Sequence, residues 1–482
     1  MARPRLTGLS DIYTFFRKNE TPIYFVSPMP FNVLGLDQWV NHFEYISFFD
    51  SFDGHHPRVF VPKETGPQEF RSMEHVCNYL LAHKEVVDRL RRRKGGKMLL
   101  VMFDEETEQL ARELGIQIAL PKAKLRTRLD SKIVTTQLGN EAGVASVPNV
   151  LGKAKTYAQL RALAAKARLG DDLVVQAPYG DSGRTTFFVK NEADWVKAVD
   201  KLGDDPIKVM KRINHLPGTV EAVATRHGTL VGPLMTDITG FAELTPYKGG
   251  WCGNDISPSI IEPGTQRRIR RMVRAFGDRL YEEGYRGCFC FDFLIDTDNG
   301  RVYLGEVNPR ISGASPPTNL ITSKYGGVPL MLFHLLEFMD VDYEIDLRAI
   351  QARWNAFDGW SQLILKQTAD QVDLITKAPP SGVWRLDPQS GGVTFLRRSL
   401  DWHDVADENE AFYMRVYGNG DYRYHGADMG ILIARERMQT DDRKLMARAK
   451  LWARGILGQF EGVAPPPVLP VLPPDWTLKK MF

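Results

Sequence analysis

The sequence predicts a mixed fold in which an α/β region is followed by regions of the α+β type. Residues 21 to about 120 alternate strand-like and helix-like segments, and repeated β-α-β units indicate a parallel sheet covered by helices. From about 125 to 340 the pattern changes to strand pairs joined by glycine-containing loops, with helices between them. A third region of mixed strands follows, with a final helix near 440 to 457 and a proline-rich end. The predicted domains are therefore 1–124, 125–340 and 341–482.

Individual segments support the α/β assignment of the first region. Residues 23–26 form a short apolar run, and 58–61 and 98–102 are further predicted strands. Apolar residues between 36 and 46 recur at helical spacing and predict a helix there. No strand of this region is followed by the glycine pattern of a dinucleotide site, and the Walker A pattern is absent from the whole sequence.

The composition is typical of a globular protein with a sizeable core, with 43% hydrophobic and 25% charged residues among 482. The 62 basic and 59 acidic residues nearly balance, which argues against a dedicated nucleic-acid binder. The four cysteines form no CxxC pair, no apolar run reaches the length of a membrane span, and no apolar signal segment follows the basic start. We therefore expect a cytoplasmic protein that acts on small molecules, without nucleic acid or membrane as a partner.

One candidate binding segment is a hairpin with a loop of small residues. Predicted strands over 172–176 and 185–189 flank the loop 179–184, which contains Gly180, Gly183 and Arg184. Glycines let backbone N–H groups approach phosphate oxygens closely, and the arginine adds positive charge. Taken alone, this pattern is more often an ordinary hairpin turn. The strand at 208–213 and the following strand that carries Glu221 are equally unspecific by themselves.

The strongest pattern is a second hairpin with acids on both strands. The first strand carries Asp292, and the return strand carries Glu306 and Asn308. Two carboxylates side by side in an apolar hairpin repel each other unless a cation lies between them. Oxygen ligands of this kind suit Mg²⁺, which typically binds through one or two carboxylates together with substrate phosphates.

The register of this hairpin decides whether the acids meet. If Asp296 pairs with Val302 across a five-residue loop, Asp292 lies directly opposite Glu306. A one-residue change of register, for instance through a tight Asn299-Gly300 turn, would place Glu306 on the opposite face.

The order of these segments resembles the ATP-grasp superfamily, and most closely its biotin-carboxylase-like branch, over roughly residues 20 to 455. The matching features are Asp130-Ser131-Lys132 at the start of a helix, the glycine loop, the strand at 209–213, and Asp292 followed by Glu306-x-Asn308-x-Arg310. The specific part is the motif GEVNPRISG after an acid-bearing strand. The resemblance implies a Rossmann-like pre-ATP-grasp domain, an ATP-grasp domain whose two lobes hold a nucleotide between them, and a C-terminal biotin-carboxylase-like domain.

The resemblance also implies a role for each matching residue. The expected nucleotide-binding residues are Lys132, Gln176, Gly180, Ser182, Gly183, Arg184, Lys211, Arg212, Ile213 and Glu221. Asp292, Glu306 and Asn308 would hold Mg²⁺ or Mn²⁺. Arg310 would stabilise charge on the transferred phosphoryl group or on an acyl phosphate. The implied cofactors are ATP and Mg²⁺ (or Mn²⁺).

The chain departs from the family pattern at several positions. Gln176 stands where a lysine is usual, and Lys211 stands near the place of the familiar hinge acid. Ala314 takes the place of a glutamate of the biotin carboxylases, and Leu365 beside Lys366 takes the place of their catalytic arginine. The sequence also contains no biotin-accepting Met-Lys-Met, so carboxylation of biotin is not expected.

The remaining expectation is an ATP-dependent carboxylate–amine ligase. It would form an amide or peptide bond through an acyl phosphate and release ADP and phosphate. The loop 245–255 is the candidate for substrate contact, with Lys248 as the group that binds the carboxylate, although an ordinary flexible loop explains it equally well. Residues 312–315 are candidates for the acceptor pocket.

Two alternative functions stay open at this point. One is a carboxylase-like enzyme that uses bicarbonate with an unusual acceptor, and the other is an ATP-binding protein without catalysis. Because related enzymes are often dimers, the resemblance also allows a homodimer.

Overall fold

A computed structural model describes residues 4–63, 70–93, 95–180 and 185–465. The N-terminal region contains β1 (Arg5–Leu6), α1 (Leu9–Arg17), β2 (Ile23–Ser27), β3 (Phe43–Ser47), β4 (Val59–Phe60), α2 (Met73–Ala82), α3 (Lys84–Arg92), β5 (Lys97–Leu100), α4 (Glu105–Glu113) and β6 (Gln117–Ile118). Strands β4-β3-β2-β5-β6 form a parallel five-stranded sheet in that order. Apolar side chains on its two faces belong to two separate cores, as expected for a parallel sheet that is covered on both sides.

The helix predicted between 36 and 46 is wrong. Only a short 3-10 turn occurs there, at Leu36–Gln38, and β3 follows it. Strand β3 is buried along its whole length, with Phe43 and Tyr45 in one core and Ile46 in the other. A strand that is buried on both faces lacks the alternating polar pattern, so the spacing of its apolar residues also fits a helical repeat.

The middle region contains α5 (Ala123–Leu129), α6 (Lys132–Glu141), β7 (Asn149–Gly152), α7 (Tyr157–Lys166), β8 (Leu173–Gln176), β9 (Thr186–Val189), α8 (Glu192–Leu202), β10 (Ile207–Lys211), β11 (His215–Thr225), β12 (Gly228–Val231), β13 (Met235–Thr239), β14 (Trp251–Ile256), α9 (Pro263–Glu282), β15 (Gly287–Asp296), β16 (Val302–Asn308), α10 (Ser315–Lys324) and α11 (Leu330–Phe338). Strands β7-β10-β8-β9 form an antiparallel sheet that we call the small lobe, together with α7 and α8. The helices pack on one face of this sheet and form its core, so the other face is left to line a cavity.

The C-terminal region contains β17 (Asp342–Tyr343), α12 (Leu347–Arg353), β18 (Trp360–Lys366), β19 (Asp373–Lys377), β20 (Gly382–Leu386), β21 (Val393–Arg397), β22 (Glu410–Arg415), β23 (Tyr422–Arg423), β24 (Asp428–Arg435), α13 (Ala447–Leu457) and β25 (Glu461–Val463). An eleven-stranded sheet runs from the middle region into this one, in the order β16-β15-β11-β13-β14-β18-β24-β22-β20-β21, with β12 paired to β11. The join is the β14–β18 pair, where Gly253 lies opposite Leu363. A Cβ on Gly253 would come 2.0 Å from the carbonyl oxygen of Gln362, so the close approach of these strands requires glycine.

Two further findings concern the whole chain. Among the described residues, no helix combines the length and the apolar character that a membrane crossing requires. Most of the proline-rich end lies outside the described residues.

Candidate active site

The acid-bearing hairpin is formed by β15 and β16, and Asp292 lies directly opposite Glu306. This predicted juxtaposition is confirmed, but the predicted Asp296–Val302 pair is wrong because Ile295 lies opposite Val302. That register by itself would bring Gly305 opposite Asp292. A β-bulge at Gly305 adds one residue to β16 and restores the pairing of the two acids.

The Asp292 carboxylate is half-buried among polar partners. Thr219 on the adjacent β11 donates a hydrogen bond from Oγ1 to Oδ1, and Asn308 donates from Nδ2 to Oδ2 at 3.2 Å. Burial, followed by the nearby charge of Glu306, raises the pKa of Asp292 to about 6. Because both effects disfavour the ionised form, a cation at this position would stabilise the pair. The donor set of two carboxylates and one amide fits Mg²⁺.

The described residues hold no cluster of three or more His, Cys, Asp or Glu side chains arranged to bind a metal ion. The fit at the hairpin therefore depends on oxygen ligands supplied from elsewhere, and Mg²⁺ commonly takes these from substrate phosphates and water.

Lys132 links the hairpin to the glycine loop. It begins α6 and is only 4% exposed, and its ammonium group donates to Glu306 Oε1 at 2.9 Å and to the carbonyl oxygen of Gly180 at 2.8 Å. Gly180 has a φ of +140°, and a Cβ there would lie 2.2 Å from Thr185 Oγ1. Both facts require glycine at this position. The predicted residues Ser182, Gly183 and Arg184 lie outside the described residues.

Two cavities meet at the acid pair. The first, of about 570 Å³, lies between the small lobe and the large sheet, and the second, of about 630 Å³, opens toward the N-terminal region. Four residues line both cavities: Asp237, Thr239, Asp292 and Glu306. These four side chains therefore form a border that the two cavities share.

Four of the predicted nucleotide residues line the first cavity: Gln176, Lys211, Arg212 and Ile213. Gln176 donates from Nε2 to Thr186 Oγ1 at 3.1 Å, and its buried Oε1 has no hydrogen-bond donor among the described residues. The Arg212 guanidinium lies 4.9 Å from the ring centre of Phe188. The side chain of Lys211 is exposed, so it covers the cavity edge rather than its interior.

The second cavity holds the predicted phosphoryl-stabilising residue, Arg310, and three residues that follow it, Ser312, Gly313 and Ala314. Lys248 does not line either cavity and is exposed on its loop, although its neighbours Gly249 and Trp251 line the second one.

Glu221 lies away from both cavities. It is fully buried on β11, two residues beyond Thr219, and accepts a hydrogen bond from Ser315 Oγ. Burial raises the pKa of this carboxyl group to about 8, and the Ser315 hydrogen bond opposes that shift. Glu221 is therefore a buried acid outside both cavities, and its burial favours the neutral form.

The sequence reasoning missed three charged residues near the acid pair. Asp237 and Arg443 line the first cavity, whereas Lys208 is buried beside Gln176 in the small lobe and does not line it. Asp237 accepts from Asn254 Nδ2 at 2.8 Å, and burial, followed by the charge of Asp292, raises its pKa well above the usual range. Arg443 reaches the cavity from the C-terminal region and donates to the carbonyl oxygen of His215. Burial lowers the pKa of Lys208 to about 8. Only Lys208 left a signal in the sequence, as a lysine between the apolar residues of a strand.

No known family model matches the chain. It is similar to the biotin carboxylase of Haemophilus influenzae, with 26% identity over 268 residues, which are 52% of this chain and 56% of that enzyme. It is also similar to the carbamoyl phosphate synthase large chain of Xylella fastidiosa, with 30% identity over 203 residues, which are 40% of this chain and 17% of that one. The matched parts thus span about half or less of these relatives.

Among solved structures, the chain resembles the biotin carboxylase domain of the 2-oxoglutarate carboxylase from Hydrogenobacter thermophilus, determined as a dimer with MgADP, ADP and bicarbonate. The TM-score is 0.59 at 14% identity, over 92% of this chain and 91% of that chain. The chain therefore shares the fold of biotin carboxylase structures. The ATP-grasp fold class predicted from the sequence is therefore confirmed.

Proposed function

We propose that the protein is an ATP-dependent carboxylate–amine ligase that forms an amide or peptide bond and releases ADP and phosphate. The observation that carries this proposal is the shared wall of the two cavities, where Asp292 and Glu306 border both. A nucleotide in the first cavity would present its terminal phosphate at these acids. A carboxylate in the second cavity would face the same point from the other side.

The ligands of the proposed cofactors follow from the donor set. Asp292, Glu306 and Asn308 would hold Mg²⁺, whose chemical contribution when bound is to neutralise charge on the phosphates. The first cavity would hold ATP, with Arg212 and Ile213 offering backbone groups to the base at its edge. Lys132 supports this assignment because its ammonium group already lies between Glu306 and the glycine loop.

The chain's own residues account for the main requirements of the reaction. A carboxylate oxygen of the substrate forms a bond to the γ-phosphorus, and the bond from that phosphorus to ADP breaks. Arg310 lines the second cavity, where its guanidinium would stabilise the negative charge of the resulting acyl phosphate. An amine then forms the C–N bond while the C–O bond to phosphate breaks. These steps require mainly positioning and charge neutralisation, which a site built of fixed polar groups supplies.

A bicarbonate-using enzyme is the second candidate, because one structural relative was determined with bicarbonate. Two features of this chain count against it. Ala314 brings no carboxylate to the second cavity, and the Lys366 ammonium is buried in an ion pair with Asp428. The Lys366 ammonium group, which is next to the position of the carboxylase arginine, is therefore already paired with a carboxylate.

The proposed function is tested by ADP release from Mg-ATP across a panel of amino acids and small carboxylic acids, each with and without amines. We expect release that requires both a carboxylate and an amine. Release that depends on bicarbonate instead would favour the second candidate. Tight ATP binding without ADP release in the presence of any substrate pair would contradict both and indicate a protein without catalysis.

A further inference from the structure

Lys208 lies on the cavity side of the small-lobe sheet. Its neighbours on β10, Ile207 and Val209, point to the opposite face and belong to the core with α7 and α8. Met210, two residues beyond Lys208, lines the first cavity. Since side chains alternate along a strand, Lys208 and Met210 share the face that looks toward the cavity.

Lys208 is also paired with the position at which the expected cation is missing. Its Cα lies directly opposite that of Gln176 on β8, and both side chains leave the sheet on the same face. Gln176 lines the first cavity, and its buried Oε1 has no donor among the described residues. The two strands therefore place a lysine one strand away from where the ATP-grasp pattern has it.

The surroundings of Lys208 lack a fixed counter-ion. Lys208 is 1% exposed and makes no hydrogen bond or ion pair within the described residues. The charges that act on it are those of Glu306, which is already paired with Lys132, and of Lys132 itself. A buried ammonium group without a partner is costly, so the site gains if an anion completes it. Phosphate oxygens in the first cavity would provide that anion.

We propose that Lys208 supplies, from β10, the positive charge that binds the nucleotide phosphates in place of Gln176. This inference rests on the proposed function in so far as a nucleotide occupies the first cavity. It adds a binding residue and explains how the chain tolerates an uncharged amide at position 176. Charged hydrogen bonds to phosphate are among the strong polar interactions, so one such lysine has a measurable effect on affinity.

The test compares the dissociation constants of Mg-ATP, Mg-ADP and adenosine for the whole chain by titration calorimetry. Lys208→Met removes the charge and keeps the length of the side chain. We expect ATP and ADP to bind at least about tenfold more weakly, with adenosine changed less than about twofold, because adenosine has no phosphate. Lys197→Met, on the exposed face of α8 in the same lobe, is the matched control and should leave all three affinities unchanged.

A charge relocation sharpens the test. In the double variant Lys208→Met with Gln176→Lys, the cation returns to the neighbouring strand, and we expect most of the lost ATP affinity to be regained. Lys208→Gln serves as a second variant if Lys208→Met does not fold. Unchanged ATP affinity in Lys208→Met, or an equal loss for ATP and adenosine, would overturn the inference while leaving the proposed function intact. Failure of the unaltered protein to bind Mg-ATP would overturn both.

Discussion

The first cavity lies between the large sheet and the small lobe, and these two parts position their polar side chains in different ways. On the large sheet, Asp292 and Glu306 belong to one hairpin, so a single turn and a single bulge bring them together. On the small lobe, Gln176 and Lys208 come from strands that are separated along the chain by β9 and α8. The acid pair is thus a local feature, whereas a cation on the lobe can be carried by either of two neighbouring strands. A charge can move between strands without loss of function if both positions face the same ligand.

The largest expected effect comes from removing the charge of either carboxylate of the Asp292–Glu306 pair. Asp292→Asn and Glu306→Gln each keep the shape of the side chain but remove a negative charge that would hold Mg²⁺. We expect ADP release to fall by about 100-fold or more in each variant, since lost electrostatic stabilisation at a reacting phosphate has effects of this size. Steady-state ADP release and circular dichroism would measure activity and folding together.

The same hairpin offers a control for these variants. Asp298 lies in the turn, away from both cavities, and contacts Asn214 at 3.4 Å. Asp298→Asn should leave ADP release within about twofold of the unaltered chain, as is usual for surface changes. Full activity in either Asp292→Asn or Glu306→Gln would show that the metal assignment is wrong.

A smaller effect is expected at the glycine loop, where the carbonyl group of Gly180 accepts a hydrogen bond from Lys132. In Gly180→Ala, the new Cβ would collide with Thr185, and the carbonyl group that accepts from Lys132 would have to move. We expect Mg-ATP to bind about tenfold more weakly, which corresponds to about 1.4 kcal/mol. Gly170→Ala is the matched control, because Gly170 also has a positive φ of +79° but has open space around its Cβ position. Equal losses in the two variants would indicate general backbone strain rather than displacement of the loop.

The smallest expected effect on nucleotide binding is that of a substitution at Glu221, which lines neither cavity. Its pKa is raised from 4.5 to about 8 by burial, so the folded state retains a proton that the unfolded chain releases. The stability contributed by this neutral carboxyl is fully present below about pH 4.5 and is lost as the pH rises through about 8. Glu221→Gln does not ionise, so its stability relative to the unaltered chain should rise with pH.

We expect the difference in unfolding free energy between Glu221→Gln and the unaltered chain to grow by on the order of 4 kcal/mol from pH 4.5 to pH 8.5. Urea unfolding at both pH values would measure it. The Mg-ATP dissociation constant should change by less than about twofold, because Glu221 lines neither cavity. A large loss of ATP affinity with unchanged stability would restore the role expected for Glu221 from the family resemblance.

The hairpin illustrates how far sequence reasoning reaches and where it stops. Because side chains alternate along a strand, Glu306 could lie on either of the two faces of the hairpin. The predicted face, which it shares with Asp292, is the observed one. The strand pairing that leads to this result differs from the predicted one. The turn shifts the register of the two strands by one residue, and the bulge at Gly305 shifts it back. Turn types and bulges depend on small differences in local energy, so they cannot be read from the alternation pattern alone.

Strand β3 shows a second limit. Its apolar residues contact two cores that also contain residues far away in the chain, and the neighbouring sequence does not indicate those distant contacts. The same reason explains why Asp237 and Arg443 were missed. Asp237 lines the first cavity because β13 pairs with β11, which pairs with β15, and Arg443 lines it because the C-terminal region brings it to His215 on β11.

The sequence by itself determined the order of the segments, the opposed acids and the glycine at position 180, because each depends on residues that are close along the chain. Only the tertiary structure decided that Asp237 and Arg443 share a cavity with the acid pair, that Lys208 lies opposite Gln176, and that Glu221 lines neither cavity. Long-range strand pairing is set by the joint packing of whole sheets, and a charge pattern within one strand carries no information about which strand will lie beside it.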